Sequence, residues 1–299
     1  MLPAVWPDRA AQDNSMKDFR IIVDAGSTKT AVCVADRGDV APELSRFEFE
    51  GCNALTVNDD ALFSLVREIV ERSNVAGKGT VEWYGAGCAT EAVCRRVEEA
   101  WLRQLPGVEA TAQSDLAGAA RSLFGSGRGI ACILGTGSNS CLWDGNEITA
   151  NVPPLGFILG DEGSGARLGA RLLADALRGI LTRELTHAFL EEYGVDKGAA
   201  LENVYRRPGA SAWLARFVPF LKKHEGHRDV QRILREIFTE FMERNVALYP
   251  GSRNYFLGFT GGVAYHFSAV LEDVCREHGY RISCITKDPI EGLIKNITF

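Results

Sequence analysis

Apolar runs alternate with short polar turns through the first 120 residues, and their spacing predicts a mixture of strands and helices. Residues 19–23 and 31–35 are rich in β-branched side chains, which favours two strands joined by the seven residues 24–30. A third strand is predicted over 43–51. The pattern then continues with a helix after residue 58, strand 81–87, helix 90–104, strand 108–112 and a helix that opens at residue 115.

The same order of elements starts again at Gly129. The pattern predicts strand 130–134, a turn over 135–140, a returning strand at 141–143 and a third strand at 147–149. A glycine-rich connection over 153–165 leads into helices at 166–178, 181–193, 198–205, 212–223 and 230–248. Strand 256–263, helix 265–277, strand 281–285 and a last helix after residue 289 follow. We interpret this order as an α/β fold with a duplicated βββαβα unit, whose second copy carries an all-helical insert.

Size and charge narrow the classes of function. The chain has 299 residues, of which 46% are hydrophobic, enough for two domains with their own cores. A net charge of −6 and the lack of any basic run argue against a nucleic-acid partner. The apolar runs are too short to span a membrane. Residues 1–18 lack the apolar core of a signal peptide and are predicted to form a loose tail.

Eight cysteines are present, and no two of them form a C-x-x-C pair. Their spacing suits neither a disulfide framework nor a zinc site, and several lie inside predicted strands. We interpret them as reduced thiols that act as small core residues in a cytoplasmic protein.

The first predicted hairpin has the composition of a phosphate-binding loop. Its glycine, Gly26, lets backbone N–H groups converge on an anion, and a strand-ending carboxylate, Asp24, suits a hydrated Mg²⁺. The side chains that add hydroxyl donors or positive charge are Ser27, Thr28, Lys29 and Thr30. An ordinary polar hairpin is the competing interpretation.

Two further glycine-rich segments extend this hypothesis. Gly135-Thr136-Gly137-Ser138 occupies the equivalent place in the second half and would form a second phosphate cradle. Gly261-Gly262-Val263 follows an apolar strand, and its bare backbone could lie against a purine or ribose. The alternative for the last segment is a simple strand-to-helix turn.

Asp115 is the candidate general base. It lies where a predicted strand passes into a helix, so its side chain should face the carboxyl end of a sheet, where clefts open. An ionised carboxylate suffices as the base in phosphoryl transfer to a sugar hydroxyl. The alternative is a helix N-cap. Four polar residues lie among glycines: Asn53, Asn139, Asp161 and Glu162. They could bind sugar hydroxyls, or they could be ordinary loop residues.

These residues together resemble the sugar-kinase, Hsp70 and actin superfamily, and within it the N-acetylglucosamine kinase branch of the BadF/BadG/BcrA/BcrD ATPase family. The similar segments are Asp24-x-Gly26-x-Thr28-x-Thr30, Ser114-Asp115-x-x-Gly118-Ala119, Gly135-Thr136-Gly137-Ser138-Asn139, Gly156 with Gly160-Asp161-Glu162-Gly163-Ser164, and Gly261-Gly262-Val263. The resemblance covers the chain after residue 18. One departure is Cys52, where relatives usually carry proline.

The resemblance implies an ATP- and Mg²⁺-dependent kinase in which Asp115 deprotonates the 6-hydroxyl of an amino sugar and Asp24 positions the metal. The residues that would contact the sugar are Asn53, Asp115, Thr136, Gly137, Asn139, Gly156 and Asp161. N-acetylglucosamine is the expected substrate, with N-acetylmuramic acid and glucosamine as alternatives. The residues that would contact ATP are those of the two hairpins together with Gly261, Gly262 and Val263.

The resemblance also implies two ribonuclease-H-like domains with ATP between them, as in the actin-like ATPases. We expect one domain at 19–118 with 286–299, and the other, with the insert, at 119–285. A homodimer in the cytoplasm is expected, with no nucleic-acid or membrane partner. Two other functions compete: a non-kinase ATPase that activates a partner enzyme through a shared iron–sulfur cluster, and a sensor that has lost turnover.

Overall fold

The first of two five-stranded sheets is built from the first half of the chain. The computed structural model describes residues 19–36, 43–75 and 77–295. The strands of this sheet are β1 (Phe19–Ala25), β2 (Lys29–Asp36), β3 (Glu43–Glu50), β4 (Gly79–Gly85) and β5 (Glu109–Ser114). Their spatial order is β3-β2-β1-β4-β5; β1 to β3 form an antiparallel meander, and β4 and β5 run parallel to β1.

The second sheet repeats that order and those directions. Its strands are β6 (Gly129–Leu134), β7 (Ser138–Trp143), β8 (Ile148–Asn151), β9 (Phe256–Thr260) and β10 (Arg281–Thr286). They are arranged as β10-β9-β6-β7-β8, with an antiparallel meander from β6 to β8 and parallel pairs β6–β9 and β9–β10. The predicted duplicated α/β fold is therefore confirmed.

Thirteen helices are assigned in the described part of the chain. Those of the first half are α1 (Asp59–Ser73), α2 (Glu91–Gln104) and α3 (Asp115–Phe124). Those between β8 and β9 are α4 (Gly156–Leu159), α5 (Gly165–Leu177), α6 (Arg183–Tyr193), α7 (Lys197–Tyr205), α8 (Ala210–Ala215), α9 (Val218–Lys223) and α10 (Arg228–Arg244). The last three are α11 (Gly262–His266), α12 (Ser268–Glu277) and α13 (Ile290–Ile294). None of the helices in this part of the chain combines the length and apolar character needed to cross a bilayer.

Two helices lie between the sheets and join them. Leu116 and Ala120 of α3 pack against β6 and β7, while Leu293 of α13 packs against Ile22 and Tyr84 of the first sheet. The final helix thus returns to the first sheet, which supports the domain division that we propose, with 286–299 grouped with 19–118.

The opposite faces of the two sheets are covered by the remaining helices. Alternate residues of β1, such as Ile21 and Val23, bury against α1 and α2. The second sheet packs against the helical insert, whose core contains an edge-to-face aromatic group of Phe189, Phe217 and Phe220.

The predicted helices differ from the structure mainly by breaks. The helix predicted over 265–277 is divided into α11 and α12 at Phe267, whose buried side chain accompanies a non-helical backbone (φ −113°, ψ 27°). The helix predicted over 212–223 is divided because Pro219, lacking an N–H, lies in the first turn of α9. One short helix, α4, lies inside the predicted glycine-rich connection. The predicted tail at 1–18 and the end of the last helix at Ile297 lie outside the described residues.

The contact between α3 and α13 depends on a glycine. A Cβ atom on Gly292 would lie 2.3 Å from the carbonyl oxygen of Ser122, which is shorter than any real contact. We expect Gly292→Ala to lower the free energy of unfolding by about 1–3 kcal/mol, because the helices must move apart. Gly226→Ala is the matched control, since its Cβ meets open space. Urea denaturation measures both, and equal stabilities would contradict the close contact.

Candidate active site

The first hairpin is shorter than predicted and is held by backbone hydrogen bonds. Only Gly26, Ser27 and Thr28 lie between β1 and β2, because both strands extend further than expected. The N–H of Gly26 donates to the carbonyl of Lys29 at 2.9 Å. Ser27 and Thr28 are exposed, so their hydroxyls are available to a ligand. Thr30 is fully buried, on the side of the sheet that carries Val32, whereas Asp24 lies on the opposite side. This position argues against direct contact between Thr30 and a nucleotide.

The loop after β3 rests on this hairpin. Cys52 donates its N–H to the carbonyl of Gly26 at 3.0 Å. The proline that relatives usually carry at this position has no N–H and could not make that bond. Cys52 is also buried, so the departure from the family pattern replaces a rigid ring by a hydrogen bond to the hairpin.

The second hairpin is held by the start of a helix. Its three residues, Gly135 to Gly137, connect β6 and β7. The first N–H groups of α5, those of Gly165 and Ala166, donate to the carbonyls of Gly135 and Thr136 at 2.8 and 3.0 Å. The N-terminus of α5 therefore holds the second hairpin in place.

The predicted adenosine segment meets the second hairpin. Gly261 has φ of +110°, and a Cβ atom there would lie 2.4 Å from the carbonyl oxygen of Leu134, so that glycine is required on both counts. Gly262 opens α11, and a Cβ on it would meet no atom within 4 Å. Val263 is buried beneath. The segment thus leaves open space beside the second hairpin.

Three carboxylates come together where the sheets face each other. Asp24 points to the same side of β1 as Ile22, towards α3 and α13. Its pKa is raised from 3.8 to about 7, chiefly by burial and then by the charges of Asp115 and Asp288, while Lys29 lowers it. Asp288 was not predicted, although it follows β10 and precedes α13 as Asp115 follows β5 and starts α3. The equivalent position of Asp115 in the first half could therefore have identified Asp288 as a candidate.

Lys29 is paired with carboxylates in the structure. Its Nζ lies 3.1 Å from Oδ1 of Asp288 and 3.2 Å from Oε1 of Glu48. The first contact joins the first hairpin to the junction of β10 and α13. A direct role of Lys29 in binding phosphate stays a prediction.

Asp115 is not the N-cap of α3. Ser114 caps the helix by accepting from the N–H of Ala117 at 3.2 Å, and Asp115 is the first helical residue. Burial raises the pKa of Asp115, whereas the N–H of Leu116, 2.9 Å from Oδ1, lowers it. Its carboxylate is therefore free of the capping role that was the alternative interpretation.

Asn53 reaches the same region from the loop after β3. Its Oδ1 accepts from the N–H of Leu55 at 3.0 Å, and a Cβ on Gly87 would lie 2.3 Å from that oxygen. The next residue, Cys88, has its pKa raised to about 12, chiefly by burial, with a smaller contribution from Asp115. Asn53 thus lies against the turn after β4, and the charge of Asp115 acts on Cys88 in that same turn.

Asp161 lies beside the start of β7, the strand that carries Asn139. Oδ1 of Asp161 accepts from the N–H of Ser138 at 3.2 Å, so this carboxylate lies against the second hairpin. Burial raises the pKa of Asp161, and the Ser138 N–H lowers it. Asp161 has the left-handed φ of 55°, which is unusual for a residue other than glycine and indicates a constrained loop.

The loop around Asp161 is anchored on both sides. Glu162 is buried and accepts from Nε of Arg244 at 2.8 Å and from Nδ2 of Asn245 at 3.2 Å. Gly156, predicted as a sugar contact, starts α4, and its carbonyl accepts from the N–H of Gly160 at 2.8 Å. Ile158, two residues after Gly156 in α4, is 77% exposed.

The donor groups around Asp24 fit a hydrated Mg²⁺. Among the described residues, no three His, Cys, Asp or Glu side chains are placed to hold a metal by themselves. Burial and the charges of Asp115 and Asp288 oppose ionisation of Asp24, so a bound cation would favour its carboxylate form, and Lys29 is the positive charge already beside it. Mg²⁺ at phosphate-transfer sites takes one or two carboxylates and completes its shell with phosphate oxygens and water. The exposed hydroxyls of the first hairpin and the open space beside Gly262 suit the phosphates and the nucleoside.

Comparisons with solved structures identify similar proteins over almost the whole chain. A candidate N-acetylglucosamine kinase from Porphyromonas gingivalis is 38% identical, with a TM-score of 0.82 over 92% of this chain and 97% of that one. One from Chromobacterium violaceum is 21% identical, with a TM-score of 0.70 over 93% and 98%. The glucose complex of a Schistosoma mansoni hexokinase, 11% identical with a TM-score of 0.50 over 92% and 83%, shares the fold. No family model and no curated protein sequence matches the chain.

The raised pKa of Asp24 predicts a pH-dependent stability. The folded pKa of about 7 exceeds the ordinary 3.8, so between these values the folded protein keeps a proton that the unfolded chain releases. The free energy of unfolding therefore falls as the pH rises through that window. We expect Asp24→Asn to have a higher Tm than the wild type at pH 8 and an equal Tm near pH 4, measured without ligand.

The matched control for this experiment is Asp60→Asn, the same change at an exposed position of α1. It should show no such pH-dependent gain. A Tm difference for Asp24→Asn that is the same at both pH values would show that the carboxylate is not destabilised by its surroundings.

Proposed function

The chain belongs to the N-acetylglucosamine kinase-like branch of the BadF/BadG/BcrA/BcrD ATPase family, and we propose that it is an ATP-dependent kinase that phosphorylates the 6-hydroxyl of an amino sugar, with N-acetylglucosamine as the first candidate. The observation that carries this proposal is the approach of Asp24 and Asp115 between two equivalent sheets, each of which ends in a glycine- and hydroxyl-containing hairpin. The proposed metal-binding carboxylate and the proposed base are therefore close enough for the charge of one to act on the other, which supports the proposal.

In this proposal the two hairpins bind the phosphates. Ser27 and Thr28 donate from the first hairpin, and the backbone and hydroxyl of Thr136 donate from the second. Gly261 and Gly262 lie against the nucleoside, beside the second hairpin. Mg²⁺ held by Asp24, directly or through water, would neutralise charge on the transferred phosphoryl group.

Asp115 acts as the general base. Its carboxylate accepts the proton of the sugar hydroxyl as the oxygen attacks the terminal phosphorus of ATP, while the bond from that phosphorus to the bridging oxygen of ADP breaks. The N–H of Leu116 holds the carboxylate in place. Asn53 and Asn139 orient the sugar, and Asp161 accepts from its hydroxyls.

The two halves of the protein meet at α3 and α13, so closure of the cleft would be a movement of the two sheets about these helices. We expect the halves to close over sugar and ATP and to exclude water, so that the sugar receives the phosphoryl group. The non-kinase ATPase remains the alternative. All eight cysteines are free thiols, and burial raises the pKa of Cys33, Cys52 and Cys88, which makes these three poor ligands for a cluster shared at a surface.

The role of Asp115 can be tested by an isosteric change. We expect Asp115→Asn to lower kcat by at least ~100-fold, because the amide cannot accept the hydroxyl proton. The affinity for Mg·ATP, measured by calorimetry, should remain within about threefold, since Asp115 is assigned to the sugar. Asp60→Asn again serves as the control. A variant that keeps wild-type turnover would refute the assignment.

The substrate can be tested by a panel of amino sugars. We expect N-acetylglucosamine to stimulate ATP consumption and to yield a 6-phosphate that phosphorus NMR identifies. N-acetylmuramic acid and glucosamine are the comparison sugars, and glucose is the control without a nitrogen substituent. Sugar-independent ATP hydrolysis, together with the absorbance of an iron–sulfur cluster in anaerobically purified protein, would favour the activating ATPase instead.

A further inference from the structure

Asn151 lies behind one of the predicted sugar-binding residues. It is the last residue of β8, and its backbone pairs with Cys141 of β7. Its Nδ2 donates to Oδ1 of Asn139 at 3.0 Å and to the carbonyl of Ser140 at 2.6 Å. The N–H of Ser140 donates to the same Oδ1 of Asn139 at 2.9 Å. Two asparagine side chains and the backbone N–H and carbonyl of Ser140 therefore form a closed set of hydrogen bonds.

The backbone of Ser140 fixes the orientation of both amides. A peptide N–H can only donate, so the atom of Asn139 that faces it must be the oxygen. A peptide carbonyl can only accept, so the atom of Asn151 that faces it must be the nitrogen. The second proton of this nitrogen then reaches Asn139. The assignment of oxygen and nitrogen thus follows from chemistry alone.

This arrangement uses the whole accepting capacity of Asn139. Its Oδ1 has two lone pairs, and two donors, the N–H of Ser140 and the amide of Asn151, occupy them. What Asn139 can offer to a ligand is its NH₂ group, which only donates. Asn139 is half-buried, so this group can reach a bound molecule.

The surrounding hairpin is rigidly held. Tyr249 is buried, and its hydroxyl accepts from the N–H of Val152 at 3.1 Å and lies 2.8 Å from Oγ of Ser140. Both strands that carry the asparagines are thereby tied to the segment after α10. Since the strand that carries Asn139 is held in this way, the orientation of its amide is set by the two donors to Oδ1, the N–H of Ser140 and Nδ2 of Asn151.

We propose that Asn151 is a positioning residue, which holds the carboxamide of Asn139 so that its NH₂ group faces the sugar and recognises an oxygen acceptor there, either a hydroxyl or an acetamido oxygen. This inference rests on the proposed sugar-binding role of Asn139. It assigns Asn151 no contact with the substrate.

The kinetic test replaces the donor by an acceptor. Asn151→Asp places a carboxylate against Oδ1 of Asn139 and should raise the KM for the sugar about tenfold, as expected for one misdirected hydrogen bond. The KM for ATP and kcat at saturating sugar should stay within about twofold. The control is Asn146→Asp, the same change at an exposed position in the turn of the same hairpin.

A double-mutant cycle separates positioning from a general structural effect. If Asn151 acts through Asn139, Asn151→Asp should change the sugar KM less than about twofold in an Asn139→Ala background. An equal rise in both backgrounds would overturn the proposal.

A second measurement is independent of catalysis. Nitrogen-15 relaxation of the Asn139 side-chain amide, in ligand-free full-length protein, should show a rigid group in the wild type and in Asn146→Ala. In Asn151→Ala the order parameter should fall to the range of flexible groups, below about 0.6. An Asn139 amide that stays rigid would overturn the proposal. A wild-type protein that no sugar stimulates would instead refute the kinase, while the relaxation result would still decide the role of Asn151.

Discussion

The confinement of three carboxylates between two sheets is the constraint on which the rest of the structure depends. Asp24 ends a strand of the first sheet, whereas Asp115 and Asp288 lie at the starts of the two helices that cross between the sheets. Loss of water and the charges of Asp115 and Asp288 raise the free energy of ionised Asp24 in the ligand-free protein. In the proposed function, a Mg²⁺ ion beside Asp24 would offset this cost, and the phosphates of ATP would enter together with that ion. The ion pair of Lys29 with Asp288 offsets only part of the repulsion.

The two hairpins are equivalent in place but are held differently. The first is supported by the loop after β3 through the N–H of Cys52, and the second by the N-terminus of α5. The support leaves Ser27 and Thr28 of the first hairpin exposed, whereas Gly135 to Gly137 of the second are half-buried. The helix that holds the second hairpin belongs to the insert, so the insert contributes to the proposed phosphate site as well as to the core of its domain. Sequence similarity between the hairpins therefore does not imply similar supports.

The order of strands and the place of Asp115 could be predicted from sequence, because both follow from local periodicity and from duplication. The identity of the helix cap could not, since Ser114 and Asp115 are both good caps and only the backbone geometry selects Ser114. Asn151 was missed for another reason. Its contact with Asn139 depends on the register of β7 and β8, which includes an irregularity between Leu142 and Trp143 that no sequence pattern marks.

Hydrogen bonds inside the protein leave two kinds of group in the proposed sugar site, amide donors and carboxylate acceptors. The side-chain oxygen of Asn53 accepts from the N–H of Leu55. The side-chain oxygen of Asn139 accepts from the N–H of Ser140 and from Nδ2 of Asn151. The amides are therefore left mainly as donors, and the carboxylates of Asp115 and Asp161 are the acceptors. A sugar hydroxyl can satisfy both kinds at once, because its oxygen accepts from an amide while its hydrogen is donated to a carboxylate. In the proposed mechanism, such a pairing would select for a ring with several hydroxyls, and it would leave Asp115 bonded to the hydrogen that it removes during phosphoryl transfer.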